Sequence, residues 1–355
     1  MVNILVTGHL GYIGTILVQL LKEKGYRVTG LDTGYFKDCV FYSTNATKPD
    51  VEIVKDIRLV SMEDLKNIDA ICHLSAISND PMGELNPQLT EEINFRSSIN
   101  LARCAQQAGV KRFLFSSSCS MYGKSGSNAV DEESTLSPIT AYAKSKVLTE
   151  LELRSMARED FCPIYLRNST AYGVSPHMRM DLVVNNLMAW AVTTGNVHIM
   201  SDGSPWRPIL HVEDIARSFL LLLEAPQEKV HNQAFNIGAN SENYQIKEIA
   251  HAVANLVPNS QVAFSEAPDK DSRSYRVSFD KIKTIFPEFK LKWNLDSGAK
   301  QLYYFYTTLG IPQNVLQERE FIRLKQLQYL KENKLIDNEL YWTKTTVALS
   351  SRPII

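Results

Sequence analysis

Short apolar runs alternate with amphipathic stretches through the first half of the chain: VNILVTG, then IGTILVQLLKEKG, RVTGLD, IDAICHLSA, SSINLARCAQQAG and KRFLFSSS. Continuous apolar runs of strand length, separated by segments of helical periodicity, predict parallel strands buried on both faces and joined by helices. The expected architecture is therefore α/β, a doubly wound parallel sheet. Gly25 and Gly109 follow two of the helices where a left-handed terminating residue is wanted, and a new strand begins within three residues of each. PIYLRNST follows the helix that carries AYAKSK as a further strand, and QAFNIG near residue 235 reads as one more strand of the same sheet.

Beyond Gly173 the pattern changes to mixed short elements: the helix DLVVNNLMAWAVTTG, the strand VHIM, and the helices VEDIARSFLLLLEAP and YQIKEIAHAVANLV. They predict a smaller C-terminal α/β lobe and a cleft between it and the sheet. The expected division is a first domain of residues 1–174 with a returning segment at about 205–240. The smaller lobe takes about 175–204 and 241–342, including the helical runs SGAKQLYYFYTTLG and REFIRLKQLQYLKENKLI. The last helix has an apolar stripe that reads as packing, and residues 343–355 read as a disordered tail.

Composition narrows the field. The 355 residues suffice for both units, and no run of about 18 uncharged apolar residues predicts a membrane span. A net charge of −1 provides no overall field for nucleic acid, so an anionic ligand must be held by local arginines or backbone amides. Cys39, Cys72, Cys104, Cys119 and Cys162 are odd in number and lack the paired spacing of a zinc site, so reduced, mostly buried thiols and no metal are expected. The N-terminus enters strand-like sequence without a basic stretch and cleavage site, which leads to the expectation of a cytoplasmic location.

TGHLGYIG places Gly8, Gly11 and Gly14 between the first strand and the first helix. Glycines there permit a tight turn and a close backbone approach to a pyrophosphate at the helix N-terminus, the Rossmann arrangement. The second strand ends at Asp32, about 20 residues beyond Gly11, the separation of a carboxylate that bonds an adenosine ribose. A carboxylate at that point repels a 2′-phosphate, and Thr33 and Gly34 supply no cation, so NAD is expected rather than NADP. Asp56, in KDIR after the third strand, could bond the adenine amino group or simply cap a turn.

AYAKSK sets Tyr142 and Lys146 four apart, on one face of a helix. A tyrosine titrates near 10, about 4 kcal/mol from serving as a base at neutral pH, and a nearby ammonium can supply much of the difference. FSSSCSMYG ends a strand with the hydroxyls of Ser116, Ser117, Ser118 and Ser120, where one can share a substrate proton with Tyr142.

With these motifs the chain resembles the extended short-chain dehydrogenase/reductase family, particularly its nucleotide-sugar epimerases and reductases. The features that carry the resemblance are TGHLGYIG, HLSA at 73–76, SSSCSMYG, YAKSK, LRNSTAYG and DGSPWRPILHVEDIA at 202–216. It implies that Tyr142 is the acid/base, that Lys146 also bonds the nicotinamide ribose, and that Ser118 is the hydroxyl partner. It also implies a cofactor shell that includes Tyr12, Ile13, Ile57, Leu74 and Ala76. For the substrate, a nucleoside-diphosphate sugar, it implies Asn186 from NNLM, Arg207, and Arg273 or Arg276 as ligands. Two asparagines on a solvated helix face, and surface ion pairs for the arginines, are the plainer alternatives. Thr170 stands where relatives carry Asn, and GVSPHMRMD brings His177 and Arg179 toward the sugar or phosphate; a loop histidine without a chemical task is the commoner case.

Dehydratases of this family carry an Asp-Glu pair after the hydroxyl residue, whereas this chain has Cys119 and Ser120, so dehydration is not expected. Cys119 reads as a small pocket-lining residue. Hydride transfer at a sugar carbon, usually C4, remains: an NAD-dependent epimerase is the leading expectation, a ketoreductase or dehydrogenase the alternative, and a dinucleotide-sensing protein without turnover a remote one. The resemblance further implies a homodimer built on the Tyr142 helix and the helix at about 90–108, with Leu148, Leu151 and Leu101 as apolar positions.

Overall fold

The structure, a computed structural model, describes residues 1–40, 47–78, 80–126, 128–265, 273–314 and 318–343. Strands β1 (Asn3–Thr7), β2 (Arg27–Asp32), β3 (Val51–Val54), β4 (Ala70–His73), β5 (Arg112–Ser118) and β6 (Cys162–Asn168) come first along the chain. They are followed by β7 (Thr170–Tyr172), β8 (Asn196–Ile199), β9 (Trp206–His211), β10 (Gln233–Ile237), β11 (Asn243–Gln245) and β12 (Gln261–Phe264). Seven of these form a parallel sheet in the order β10-β6-β5-β4-β1-β2-β3. From β1 the chain runs outward to β3 and then returns to β4 on the other side. The carboxyl ends of β1 and β4 thus flank the reversal, where a crevice opens in doubly wound folds.

The alternation of side chains along the strands feeds two apolar layers. Ile4, Val6, Leu114, Ile164 and Leu166 pack with Leu17, Leu21, Ile215 and Phe219 of the helices Gly14–Glu23 and Val212–Glu224. Leu5, Ile71, Phe113, Phe115 and Tyr165 pack on the opposite face against Leu101, Ala105 and Leu153, from the helices Ser97–Gln107 and Ala141–Ser155. Leu101 is therefore core and not available to an interface, whereas Leu148 and Leu151 are exposed. Gly25 and Gly109 adopt φ of +82° and +79°, the left-handed values expected of helix terminators.

A third cluster forms the smaller lobe from the helices Val183–Thr194, Ile246–Leu256 and Leu295–Leu309, with Leu187, Met188, Ile249, Val253, Leu302 and Tyr306 at its centre. Strand pairing joins β8 to β12 and aligns β11, β9 and β7 in a second small sheet. β9 was not evident in the sequence, where WRPILH follows a turn without clear alternation; it opens the returning segment, and β10 then joins the edge of the main sheet. The last predicted helix is shorter than its pattern, running Arg323–Glu332. Of the expected tail, residues 344–355 lie outside the described residues. Among the described residues no helix is long and apolar enough to cross a membrane, and all five cysteines are free.

Candidate active site

A cleft of about 570 Å³ runs across the carboxyl edge of the sheet into the smaller lobe, a size typical of small-molecule sites. Its floor begins where β1 ends. Gly8 turns with φ +75°, and a side chain on Gly14 would place its Cβ 2.1 Å from the Gly8 carbonyl oxygen. Gly8, Gly11, Tyr12, Ile13 and Gly14 all line the cleft. Tyr12 is also a tie between lobes: its hydroxyl donates to the Gly173 carbonyl at 2.5 Å and accepts from Asn185 at 3.1 Å.

Asp32, at the end of β2, receives the Gly34 amide at 2.8 Å and the Leu10 amide at 3.2 Å, which holds its carboxylate toward the cleft while burial pushes its pKa up. Ile57, Leu74 and Ala76 line the same end. Asp56 lines it too, but its carboxylate is spoken for: it caps Ile57–Leu59 through the Arg58 amide at 2.9 Å and takes two guanidinium bonds from Arg58 at 2.7 and 3.0 Å.

Thr140 caps the Ala141–Ser155 helix by accepting the Ala143 amide at 3.2 Å, and one turn separates Tyr142 from Lys146 on its cleft-facing side. Ser118, the last residue of β5, engages the Tyr142 hydroxyl and lines the cleft beside it. Lys146 is buried, donates to the Ser116 carbonyl at 2.7 Å, and stands 5.6 Å from the Tyr142 ring centre. The phenol, the ammonium and the strand-end hydroxyl are thus brought together.

The electrostatics differ from the sequence-based expectation. Burial pushes the Tyr142 phenol up to about 12, reinforced by the Asp80 carboxylate and opposed by the Ser118 hydrogen bond and the Arg179 charge. Lys146 itself is pushed down to about 7 by burial, with Glu150 pulling the other way. A neutral phenol suits delivery of a proton to a carbonyl, and taking one back requires added positive charge beside it.

Lys146 also predicts a pH effect on folding. The unfolded chain holds this proton to about pH 10, while the folded chain releases it near 7. Between those values the unfolded state binds more protons, so folding stability from this group rises with pH and is lost as pH falls toward 7. In urea unfolding of cofactor-free protein, the stability of wild type relative to Lys146→Met should grow from about pH 7 to about pH 9.5. A difference independent of pH would show that the ammonium keeps its ordinary pKa.

On the other wall, Asn186, Thr170, Arg179, Arg207 and Arg273 line the cleft. The Asn186 side chain donates to the Met180 carbonyl at 2.9 Å, while Asn185 is buried and braces the Gly173 amide at 2.9 Å. Neither lies on a solvated face. Arg179 is paired with Asp181 at 2.8 and 3.0 Å and Arg273 with Asp80, which also accepts from the Thr140 hydroxyl, so each arginine stands in the cleft with a carboxylate that shares it with an anionic ligand. Arg276 does not belong to this set. It is exposed and stacks on Trp206 at 4.8 Å, because alternate residues of the extended segment Arg273–Val277 point to opposite sides.

Two further expectations are corrected. Cys119 does not line the cleft: its thiol faces the core, donates to the Arg167 carbonyl at 3.1 Å, and burial pushes its pKa up. His177 is buried, not an exposed loop residue, and burial pushes it down to about 4, so it is neutral.

The structure adds cleft residues that sequence reasoning passed over. Asn168 donates to the Ser116 hydroxyl at 3.1 Å and leaves its own carbonyl oxygen buried without a partner, next to the unpartnered hydroxyls of Ser117 and Ser120. It lies two residues before Thr170, in the quoted LRNSTAYG, where its strand-end position could have marked it. Asp80 and Arg323 also line the cleft, and no spacing in the sequence singles them out.

The fold and this constellation define a dinucleotide-dependent enzyme of the short-chain dehydrogenase/reductase type. The model of the NAD dependent epimerase/dehydratase family matches residues 4–238, and the chain belongs to that family. It is 24% identical to a trifunctional UDP-glucose 4,6-dehydratase/UDP-4-keto-6-deoxy-D-glucose 3,5-epimerase/UDP-4-keto-L-rhamnose-reductase of Arabidopsis thaliana, over 86% of this chain and 47% of that protein, so it spans about half the length of this relative. Among solved structures it is similar to the UDP-glucose 4-epimerase of Thermotoga maritima, with a TM-score of 0.75 and 25% identity over 86% of this chain and 99% of that one. MoeE5 in complex with UDP-glucuronic acid and NAD matches with a TM-score of 0.74 and 25% identity, over 86% and 99% of the two chains.

NAD is the cofactor of this family, and the residues fit it. The crossing of Gly8 and Gly14 leaves backbone where a Cβ would intrude, and the carboxylate of Asp32 stands at the end of β2 with no cation in the two residues that follow. When bound, NAD accepts a hydride and gives it back.

Proposed function

We propose that the protein is an epimerase of a nucleoside-diphosphate sugar, working through a keto sugar by hydride transfer at C4. Arg207 and Arg273, with Asn186, hold the diphosphate; planar guanidinium donors match two phosphate oxygens at once. Tyr142 takes the proton from the sugar hydroxyl as the carbonyl forms and returns it when the carbonyl is reduced from the opposite face. Ser118 shares that proton by its hydrogen bond, and Lys146 orients the nicotinamide ribose and supplies positive charge.

The observation that carries this reading over elimination of water is the state of the acids. Cys119 is turned into the core and Ser120 presents a hydroxyl, while the cleft carboxylates Asp32, Asp56, Asp80 and Asp181 are engaged by backbone amides, Arg58, Arg273 and Arg179 respectively. No carboxylic acid among the described cleft residues stands free to expel a hydroxyl. A ketoreductase would use the same three residues for half of the cycle.

The test is to denature purified protein and assay the supernatant for NAD(H), then to incubate native protein with a panel of nucleoside-diphosphate hexoses. Released cofactor and a new C4 stereoisomer without net oxidation are expected. Cofactor-free protein that consumes added NADH would replace the epimerase with the reductase, and a 4-keto-6-deoxy product would overturn both. The same reading includes a cytoplasmic homodimer, for which the exposed Leu148 and Leu151 on the Tyr142 helix supply an apolar face.

A further inference from the structure

The C-terminal segment after residue 318 packs on the nucleotide end of the cleft. Gln326 donates to the Tyr35 carbonyl at 2.9 Å and Trp342 to the Thr33 carbonyl at 2.6 Å, both in the loop that follows Asp32. The Tyr35 hydroxyl donates to the Leu340 carbonyl, and Arg58, the partner of Asp56, donates to the Glu339 carbonyl at 2.8 Å while lying 3.6 Å over the Tyr341 ring. Leu327 and Leu340 line the cleft alongside Asp32 and Phe36. A segment that touches the loop after β2 at this many points is placed by the cofactor site as much as by the core.

Arg323, the first residue of the segment's helix, also lines the cleft and is 3% exposed. One guanidinium nitrogen donates to the His177 carbonyl at 3.1 Å and the plane lies 4.3 Å over the Phe36 ring, but Nη1 is buried with no partner. Among the described residues no carboxylate forms an ion pair with it, although the charges of Asp32 and Asp181 reach it and Arg179 repels it. Burial and that repulsion lower its pKa to about 10. A buried cation without a counter-charge is costly, and an unpartnered donor in the wall of a ligand cleft is relieved by an anion there.

We propose that Arg323 is a phosphate ligand of the bound dinucleotide, delivered to the cofactor by the C-terminal helix. Its bond to the His177 carbonyl places it beside the loop whose Ser175 hydroxyl donates to the Tyr12 carbonyl, at the start of the helix Gly14–Glu23, which assigns it to the diphosphate of the cofactor and not to that of the sugar nucleotide. The proposal rests on NAD binding alone, so its failure leaves the epimerase reading intact.

The test measures affinities of cofactor-stripped, full-length wild type and Arg323→Met for ADP-ribose, adenosine and UDP by titration calorimetry. Loss of a charged hydrogen bond should weaken ADP-ribose by about 10- to 100-fold and leave adenosine and UDP unchanged, with Arg323→Lys recovering part of the loss. Equal weakening of ADP-ribose and adenosine, no weakening, or a loss confined to UDP would each overturn it. Should Arg323→Met not fold, hydrogen exchange of wild-type residues 323–335 decides: protection by ADP-ribose that adenosine does not produce supports the contact, and equal effects of the two ligands refute it.

Discussion

Tyr142→Phe should lower turnover by roughly 10²- to 10⁴-fold, the range for loss of a general acid/base, with cofactor affinity little changed. The hydroxyl is the one atom removed, and the ring keeps its place one turn from Lys146 and beside Ser118. Because burial and Asp80 hold the phenol up at about 12 in the cofactor-free protein, the wild-type enzyme depends on positive charge gained with the cofactor to ionise it. Steady-state kinetics with a sugar nucleotide, paired with NAD titration of the same preparation, separate the two quantities. Near-normal turnover in the variant would remove Tyr142 from the chemistry, and a parallel loss of NAD binding would make its role structural.

Glu150→Gln should destabilise the folded protein by about 3–5 kcal/mol. Glu150 and Arg167 are 1% and 3% exposed and share bonds of 2.8, 3.1 and 3.3 Å, with Arg167 also donating to the Tyr122 hydroxyl at 3.0 Å. Removing one charge leaves the other buried without its partner, which costs far more than the pair contributes. Replacing both, as Glu150→Leu with Arg167→Met, should cost less than the single change. Urea unfolding of the three proteins checks this; a double variant as unstable as the sum of two single losses would mean that the pair is not the unit. The site feels the change as well, since Glu150 lies one turn beyond Lys146 and its charge pulls the ammonium pKa up, so Gln there should push it further below 7.

Much of the cofactor half of the cleft was legible because it is built from local geometry. The crossing of Gly8 and Gly14, Asp32 at the end of β2, and the pair Tyr142 and Lys146 are each set by a turn, a strand end or a helical spacing that a short window contains. The same logic placed a run of serine hydroxyls at the end of β5, and the family resemblance chose Ser118 among them. That logic failed where orientation depends on neighbours distant in sequence. Cys119 turns into the core because Arg167, on the adjacent strand, offers its carbonyl; His177 is buried because the C-terminal helix brings Arg323 against its backbone; Arg273 and Arg276 part because the intervening Tyr275 is buried.

By itself, the amino-acid sequence determined the doubly wound sheet, the dinucleotide loop and the placing of Tyr142 and Lys146 on one face of a helix. Hydrophobic period, glycine placement and helical spacing act over a turn or a strand and need no partner. Only the tertiary structure decided the charge states of those two residues, the pairing of Asp80 with Arg273, and the packing of the C-terminal segment over the nucleotide end. Desolvation and ion pairing depend on which side chains converge from separate elements of the chain, and that convergence exists only once the chain is folded.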